Sequence, residues 1–333
     1  MNVLLKYSDI DLQQWQLLTN SSPVASWFQT PEAYEFFSSL PEIMQPFVIA
    51  VEKEKMLKGL VIGYVTKEKS SLKQFFTRRA VIYGGPLLAE DITDQELKSL
   101  LLTLDSWLYK RTIYVETRNF SDYNPWRHIF EDCGFRYQPH LNFHVDTSSL
   151  ETINQNLGKD RKRNIKLSLR EGATILDNPT IAQVKSYYAI LARLYKTKVR
   201  TPLYEWTFFE KLYSLPSARF LLVQYNDDII GGTTCVMLEN HIVYEWFVCG
   251  EDSKYKNVFP SVLATYAGLQ FAADHHCPRF DLMGAGTPDE HYGVRDFKAR
   301  FGGELVEHGR FLRINSDILY QLGKTIVKLI RII

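Results

Sequence analysis

The sequence predicts an α/β chain of two tandem domains, each a mixed, mostly antiparallel (α+β-like) sheet flanked by helices. Three observations predict it. The chain has 333 residues, long for one hydrophobic core, so two domains of roughly 150 residues are expected. Three short segments of the first half recur in order in the second at an offset of about 168 residues. They pair "TIYVE" (112–116) with "RFDLM" (279–283), "CGFRY" (133–137) with "FGGEL" (301–305), and "NFHVD" (142–146) with "RFLRI" (310–314). Within each half, short strand-like apolar runs give way to patterns with a helical period.

In order along the chain, "PFVIAVE", "LVIGYV" and "AVIYGG" read as strands. A helix follows over 93–110, with apolar residues at 97, 100, 101, 104, 107 and 108, and a shorter one over 123–132. Near "DTSSLETI" the first domain ends, and Ser148 or Ser149 can cap the helix carrying "LGKDRKRNIKLSLREG", which Gly172 stops. The second half repeats the plan with "RFLLVQY", "DIIGGTTCVML" and "HIVYEWFVC", the first two joined by a hairpin turn at "NDD" (226–228). Helical patterns at 258–275 and 290–300 complete it. The domains are therefore 1–147 and 148–315, followed by an amphipathic C-terminal helix over 316–333. That tail carries Lys324, Lys328 and Arg331 beside an apolar stripe, a pattern suited to an anionic membrane surface or to packing on protein.

Composition excludes several classes. With 39 basic and 38 acidic residues the net charge is +1, which argues against a dedicated nucleic-acid binder. The four cysteines are widely spaced with no CxxC pair, which reads as reduced thiols in a cytoplasmic protein. No apolar run reaches the ~18–20 residues that cross a bilayer. His275, His276 and Cys277 are adjacent in sequence and do not converge on one ion, so no metal is expected. Neither G-x-S-x-G nor G-x-G-x-x-G occurs.

Two basic features carry potential chemistry. Lys298 stands beside an apolar stripe of Val294, Phe297 and Phe301, one turn before Gly302 and Gly303. Such a lysine either points at a reacting carbonyl or lays its stem along apolar surface with its charge in water. On the helix after the boundary, Arg163, Lys166 and Arg170 share one face, either to meet phosphates or as a solvated stripe.

The order "FDLMGAG", then "YGVRDFKARFGGELVE", resembles the Fem family, the FemABX-type peptidoglycan aminoacyltransferases, which are tandem GNAT-fold acyltransferases. "SWFQTPEAYEFF", "IYGGPLL", "LGKDRKRNIKLSLREGATI", "VRTPLYEWTFFEKL" and "YKNVFPSVLATYAGLQFA" extend the resemblance over roughly residues 24–314, and no long coiled-coil arm is apparent. The resemblance implies two GNAT-like domains and transfer of an aminoacyl or acyl group to an amine. It assigns Lys298 to stabilising the oxyanion and Arg200 to holding a diphosphate, an anion that suits the guanidinium fork. Asp281, Tyr292 and Arg163 are candidate substrate-binding residues, and Asp281, Glu245, Tyr292 and His291 are candidates for the unassigned general base.

The implied donor is aminoacyl-tRNA, consumed as a co-substrate without any cofactor. The implied acceptor is a small-molecule or lipid-linked cell-envelope precursor, handled in the cytoplasm with peripheral membrane contact through the C-terminal helix. One departure stands out: no lysine or arginine lies between Lys6 and Lys53, where the family places a second phosphate anchor. The Q/R-x-x-G-x-G/A turn that cradles acetyl-CoA is also missing from "VCGEDSKYKNVFPSV". The alternatives are an N-acyltransferase that takes an acyl-CoA or acyl-carrier thioester to an amino sugar or amino lipid, and a non-catalytic binding relative.

Overall fold

The computed structural model describes residues 1–199 and 202–332, with side chains through residue 325. The first half runs β1 (Asn2–Leu4), α1 (Leu12–Ser21), α2 (Pro31–Ser38), β2 (Met44–Lys53), β3 (Met56–Thr66), α3 (Ser71–Thr77), β4 (Arg79–Gly84), β5 (Leu87–Leu88), α4 (Asp94–Leu108), β6 (Tyr114–Asn119), α5 (Arg127–Asp132), β7 (Arg136–Gln138) and β8 (Leu141–Asp146). The second runs α6 (Leu150–Asn156), α7 (Lys159–Arg170), β9 (Thr174–Leu176), α8 (Ile181–Leu194), α9 (Trp206–Tyr213), β10 (Ala218–Tyr225), β11 (Asp228–Leu238), β12 (Ile242–Gly250), α10 (Pro260–Asp274), β13 (Arg279–Gly284), α11 (Gly293–Ala299), β14 (Glu304–Glu307), β15 (Arg310–Ile314) and α12 (Asp317–Ile332).

Local chemistry explains the main boundaries. Asn226 and Asp227 both take positive φ, 49° and 65°, as the two-residue turn between β10 and β11 requires. Glu54 and Lys55, at 53° and 66°, do the same between β2 and β3. Thr93 and Glu96 form a reciprocal capping box that starts α4. Pro260 opens α10, where its missing N–H costs nothing.

Past the first-half boundary the single expected helix is two. Ser149 accepts a 3.0 Å hydrogen bond from the Thr152 amide and caps α6. The helix then breaks because Gly158 donates its amide to the Arg300 carbonyl at 3.0 Å, and α7 begins afresh. Gly172, at φ 97°, ends α7 as expected.

The chain forms two compact units, one of Met1–His140 with the segment from Glu307 onward, the other of Leu141–Val306. The first holds the sheet β1-β2-β3-β4-β6-β15-β7, with β5 on β3, and the second the sheet β14-β8-β13-β12-β11-β10-β9. Both sheets are mixed: the β4–β6 and β12–β13 ladders are parallel and the other registered pairs antiparallel. The repeat is visible strand for strand, with β2, β3, β4 and β6 answering to β10, β11, β12 and β13. One pair is exchanged: residues 141–146, counted above with the first half, pair in the second sheet, and 310–314 pair in the first.

Each unit has its own core. In the first, Leu97, Leu101 and Leu104 of α4 pack on Val61, Val115 and Phe311. Phe311 stacks on Phe130 with ring centres 3.9 Å apart, so the exchanged strand is part of that core. In the second, α10 is apolar nearly all round because its residues are buried on both sides, with Leu263, Ala264 and Ala267 among Val243, Phe280 and Phe301. Among the described residues no helix is long and apolar enough to cross a membrane.

Candidate active site

The two parallel ladders differ, and the difference locates the site. In the first unit β4 and β6 pair from Arg79/Tyr114 through Gly84/Asn119. In the second, the β12–β13 ladder runs only from Ile242/Arg279 to Tyr244/Asp281, while β12 continues to Gly250. Two backbone features accompany this parting. The β11–β12 register shifts next to Glu245, where Trp246 is the extra residue of a bulge. On the other side the β13–β8 register shifts between Asp281 and Gly284, and Met283 takes φ 58°. A left-handed conformation costs a residue with a side chain about 1–2 kcal/mol. Asp281 supplies the compensation by accepting the Met283 amide at 2.6 Å.

Lys298 enters this fork from α11. It is 8% exposed, and its ammonium donates to the carbonyls of Leu282 at 2.6 Å and Gly284 at 2.8 Å. The stem therefore does not snorkel to water; the charge itself is inside. Two of the three ammonium donors are spent on the backbone, which aims the third. Burial lowers the Lys298 pKa, while the charges of Glu245 and Asp281 act to raise it.

Glu245 is 3% exposed, accepts from Thr233 Oγ1 at 3.4 Å, and has its Oε2 buried without a hydrogen-bond partner. Burial pushes its pKa up to about 7 against the opposing effect of Lys298.

The helix that presents Lys298 is clamped at both ends. Arg161 of α7, 6% exposed, donates to the Phe297 carbonyl at 3.1 Å and lies over the rings of Phe297 and Phe301, 4.5 and 5.0 Å from their centres. At the C-terminal end Gly302 has φ 80°, and a Cβ there would fall 2.2 Å from the Asn156 carbonyl oxygen, so only glycine fits. Arg295 ties the preceding loop, donating to Ala285 at 2.9 Å and to Thr287.

A family model described as the FemAB family matches residues 218–328, the stretch that contains the fork and Lys298. Over this third of its length the chain is similar to the FemAB family. No curated protein matches it significantly. Among solved structures, a crystal structure of FemX superposes with a TM-score of 0.74 at 13% identity, covering 97% of this chain and 99% of that one. A tandem GNAT protein from the clavulanic acid biosynthesis pathway gives 0.60 at 11% identity, covering 95% and 99%. The C-terminal domain of a putative lysylphosphatidylglycerol synthetase from Agrobacterium fabrum gives 0.59 at 10%, covering 95% and 96%. At such identities the likeness is one of fold, and that fold is the tandem GNAT arrangement.

The fork brings some expected residues together and leaves others apart. Asp281 is wholly buried, with its oxygens engaged by the Met283 amide, by Asn142 at 3.2 Å and by His144 at 3.4 Å, so it holds backbone instead of meeting a ligand. Tyr292, 42% exposed, is the residue before α11. His291 is exposed and lies 3.4 Å from Asp296. Arg163 points to solvent beside Asp160, its side chain 74% exposed, so the face of α7 it shares with Lys166 is the solvated one. Arg200 lies outside the described residues. Val294, placed above in the apolar stripe, is 41% exposed, and Lys298 is the residue α11 buries.

Sequence reasoning missed Arg161, Met283 and Arg295. A signal for the first was available: Arg161 shares a helix face with Asn164, Ile165 and Ser168, all buried. Met283 carries none, because a left-handed methionine leaves no compositional trace.

Proposed function

We propose that the chain forms an amide on an amine of a cell-envelope precursor, with aminoacyl-tRNA as donor and no cofactor. Lys298 carries this reading, as a buried ammonium fixed by two carbonyls with one donor left to meet an oxyanion. In the proposed step the neutral amine attacks the ester carbonyl, the carbon–oxygen bond to the tRNA breaks, and the amine proton ends on the departing oxygen. Negative charge develops on the carbonyl oxygen, and a pre-fixed cation there is worth about 10²–10³-fold in rate. Glu245, buried beside Lys298, supplies the negative charge that favours the ammonium form.

One observation favours a second donor. The first half lacks a basic residue between Lys6 and Lys53, so the family's anchor for a nucleotide-linked precursor has no counterpart there. An acyl thioester and an amino-sugar or amino-lipid acceptor fit the same lysine chemistry. A lipid-linked acceptor would place the protein in the cytoplasm at the membrane face. In support, Ile318 and Leu322, 83% and 43% exposed, lie one turn apart on α12, while Tyr320 packs edge-on against Tyr114.

The test is a donor competition with charged tRNA, acyl-CoA and acyl-carrier protein on wild type and Lys298→Ala. Turnover with charged tRNA that the substitution abolishes while tRNA binding persists supports the first reading. Turnover with a thioester alone moves the chain to the second, and turnover unchanged in Lys298→Ala overturns the role of the lysine.

A further inference from the structure

The first sheet carries three arginines on one partly buried face. Tyr114, Glu116 and Arg118 alternate along β6 and so point to the same side. Register places Arg79 opposite Tyr114 and Tyr83 opposite Arg118 on β4, and Leu312 opposite Glu116 on β15, which puts Arg310, two residues earlier, on that side as well.

The side chains are linked. Glu116 Oε1 accepts from Arg118 Nε at 2.7 Å and from Arg310 Nη1 at 3.3 Å. Arg118 donates to the Tyr83 hydroxyl at 2.9 Å, Arg79 to the Tyr114 hydroxyl at 3.1 Å, and Arg310 meets His140 Nε2 at 2.9 Å. Tyr64 and, from α12, Tyr320 also adjoin the cluster, and burial raises the Tyr320 pKa.

The charges do not balance. Among the described residues three guanidinium groups adjoin one carboxylate, a surplus of two positive charges on a surface where screening is reduced. Arg310 Nε is buried without a hydrogen-bond partner. The arginine side chains are still 29% and 26% exposed at Arg118 and Arg310, so a solute can reach them. Burial would raise the Glu116 pKa, yet the neighbouring arginines, Arg118 and Arg310 foremost, bring it below the ordinary carboxylate value, so the glutamate is already ionised and cannot supply more charge.

We propose that Arg79, Arg118 and Arg310 form a site for a phosphate-bearing molecule in the first unit. A phosphate or diphosphate matches the surplus in charge, and its oxygens suit the planar guanidinium fork. The site does not depend on transfer chemistry at Lys298.

The experiment is calorimetric titration of the full chain with inorganic phosphate and with pyrophosphate at fixed ionic strength. A parallel arm is flotation on phosphatidylcholine vesicles with and without phosphatidic acid. Saturable one-site binding is expected, weakened at least tenfold in Arg310→Gln and in Arg118→Gln and unchanged in Lys110→Gln and Lys298→Ala. If Arg118→Gln does not fold by circular dichroism, Arg310→Lys, which keeps charge but loses the fork, takes its place. Binding to phosphatidic acid vesicles alone, lost in Arg310→Gln, assigns the phosphate to a lipid headgroup. No saturable binding of any probe, or equal binding by the arginine variants, overturns the site.

Discussion

The carboxylate of Asp281 holds the amide of Met283 at 2.6 Å, and through it sets the two carbonyls that receive Lys298. An aspartate with no exposed surface thus governs the placement of a cation held by the carbonyls one and three residues further along its strand. Asp281→Ala is expected to lower kcat at least tenfold with little change in KM, since it releases backbone and touches no substrate. Stability should fall by about 1–3 kcal/mol as buried donors lose their acceptor. Adding Met283→Gly, which takes positive φ without strain, should recover part of the activity. Equal losses in the single and double variants would show that Asp281 acts otherwise.

Replacing Lys298 separates chemistry from packing. Lys298→Met keeps the stem and removes the ammonium, and a kcat loss of about 10²–10³-fold is expected with the donor still bound. The carbonyls of Leu282 and Gly284 lose their donor, so a drop of roughly 1–3 kcal/mol in stability should accompany it. Denaturant unfolding beside single-turnover kinetics reads both.

Glu245 gives the fold a pH signature. Its pKa is raised from 4.5 to about 7 in the folded chain, so the folded state binds the proton more tightly than the unfolded state. Its contribution is fully present below about 4.5 and is lost as pH rises to about 7, an effect on the order of 1–3 kcal/mol. Glu245→Gln should flatten this part of the stability curve. A wild-type profile with the same slope as the variant would exclude the assignment.

Gly302 has no tolerated substitute. With φ 80° and the Asn156 carbonyl in the way, Gly302→Ala is expected to cost at least about 3 kcal/mol, from the left-handed strain and the clash together. The Thr93→Ala change, which removes the α4 cap, should cost only ~1 kcal/mol and leave kcat as it is. The comparison of the two by thermal unfolding and by turnover distinguishes a site-specific glycine from general destabilisation.

Much of the fold was legible because apolar period reports burial: α4, α10 and the β10–β11 turn at "NDD" fall within two residues of where the pattern places them. Lys298 was legible through its motif, but its surroundings were not. The fork depends on where a ladder stops, and a ladder's length is set by pairing between distant segments. Arg163 and Arg161 stand two residues apart on one helix, and only tertiary contact decides which is inside. The division into halves at 147 and the exchange of β8 and β15 have the same origin, since the strand pattern is identical whichever sheet a strand joins.

That exchange orders assembly in time. The first unit needs β15, and residues 310–314 leave the ribosome after the whole of 141–306 has been made. At about 5–20 residues per second, the earlier-synthesised sheet waits roughly ten to thirty-five seconds with the edge of β6 unpaired. The later-synthesised unit, whose every strand is contiguous from residue 141, can close first.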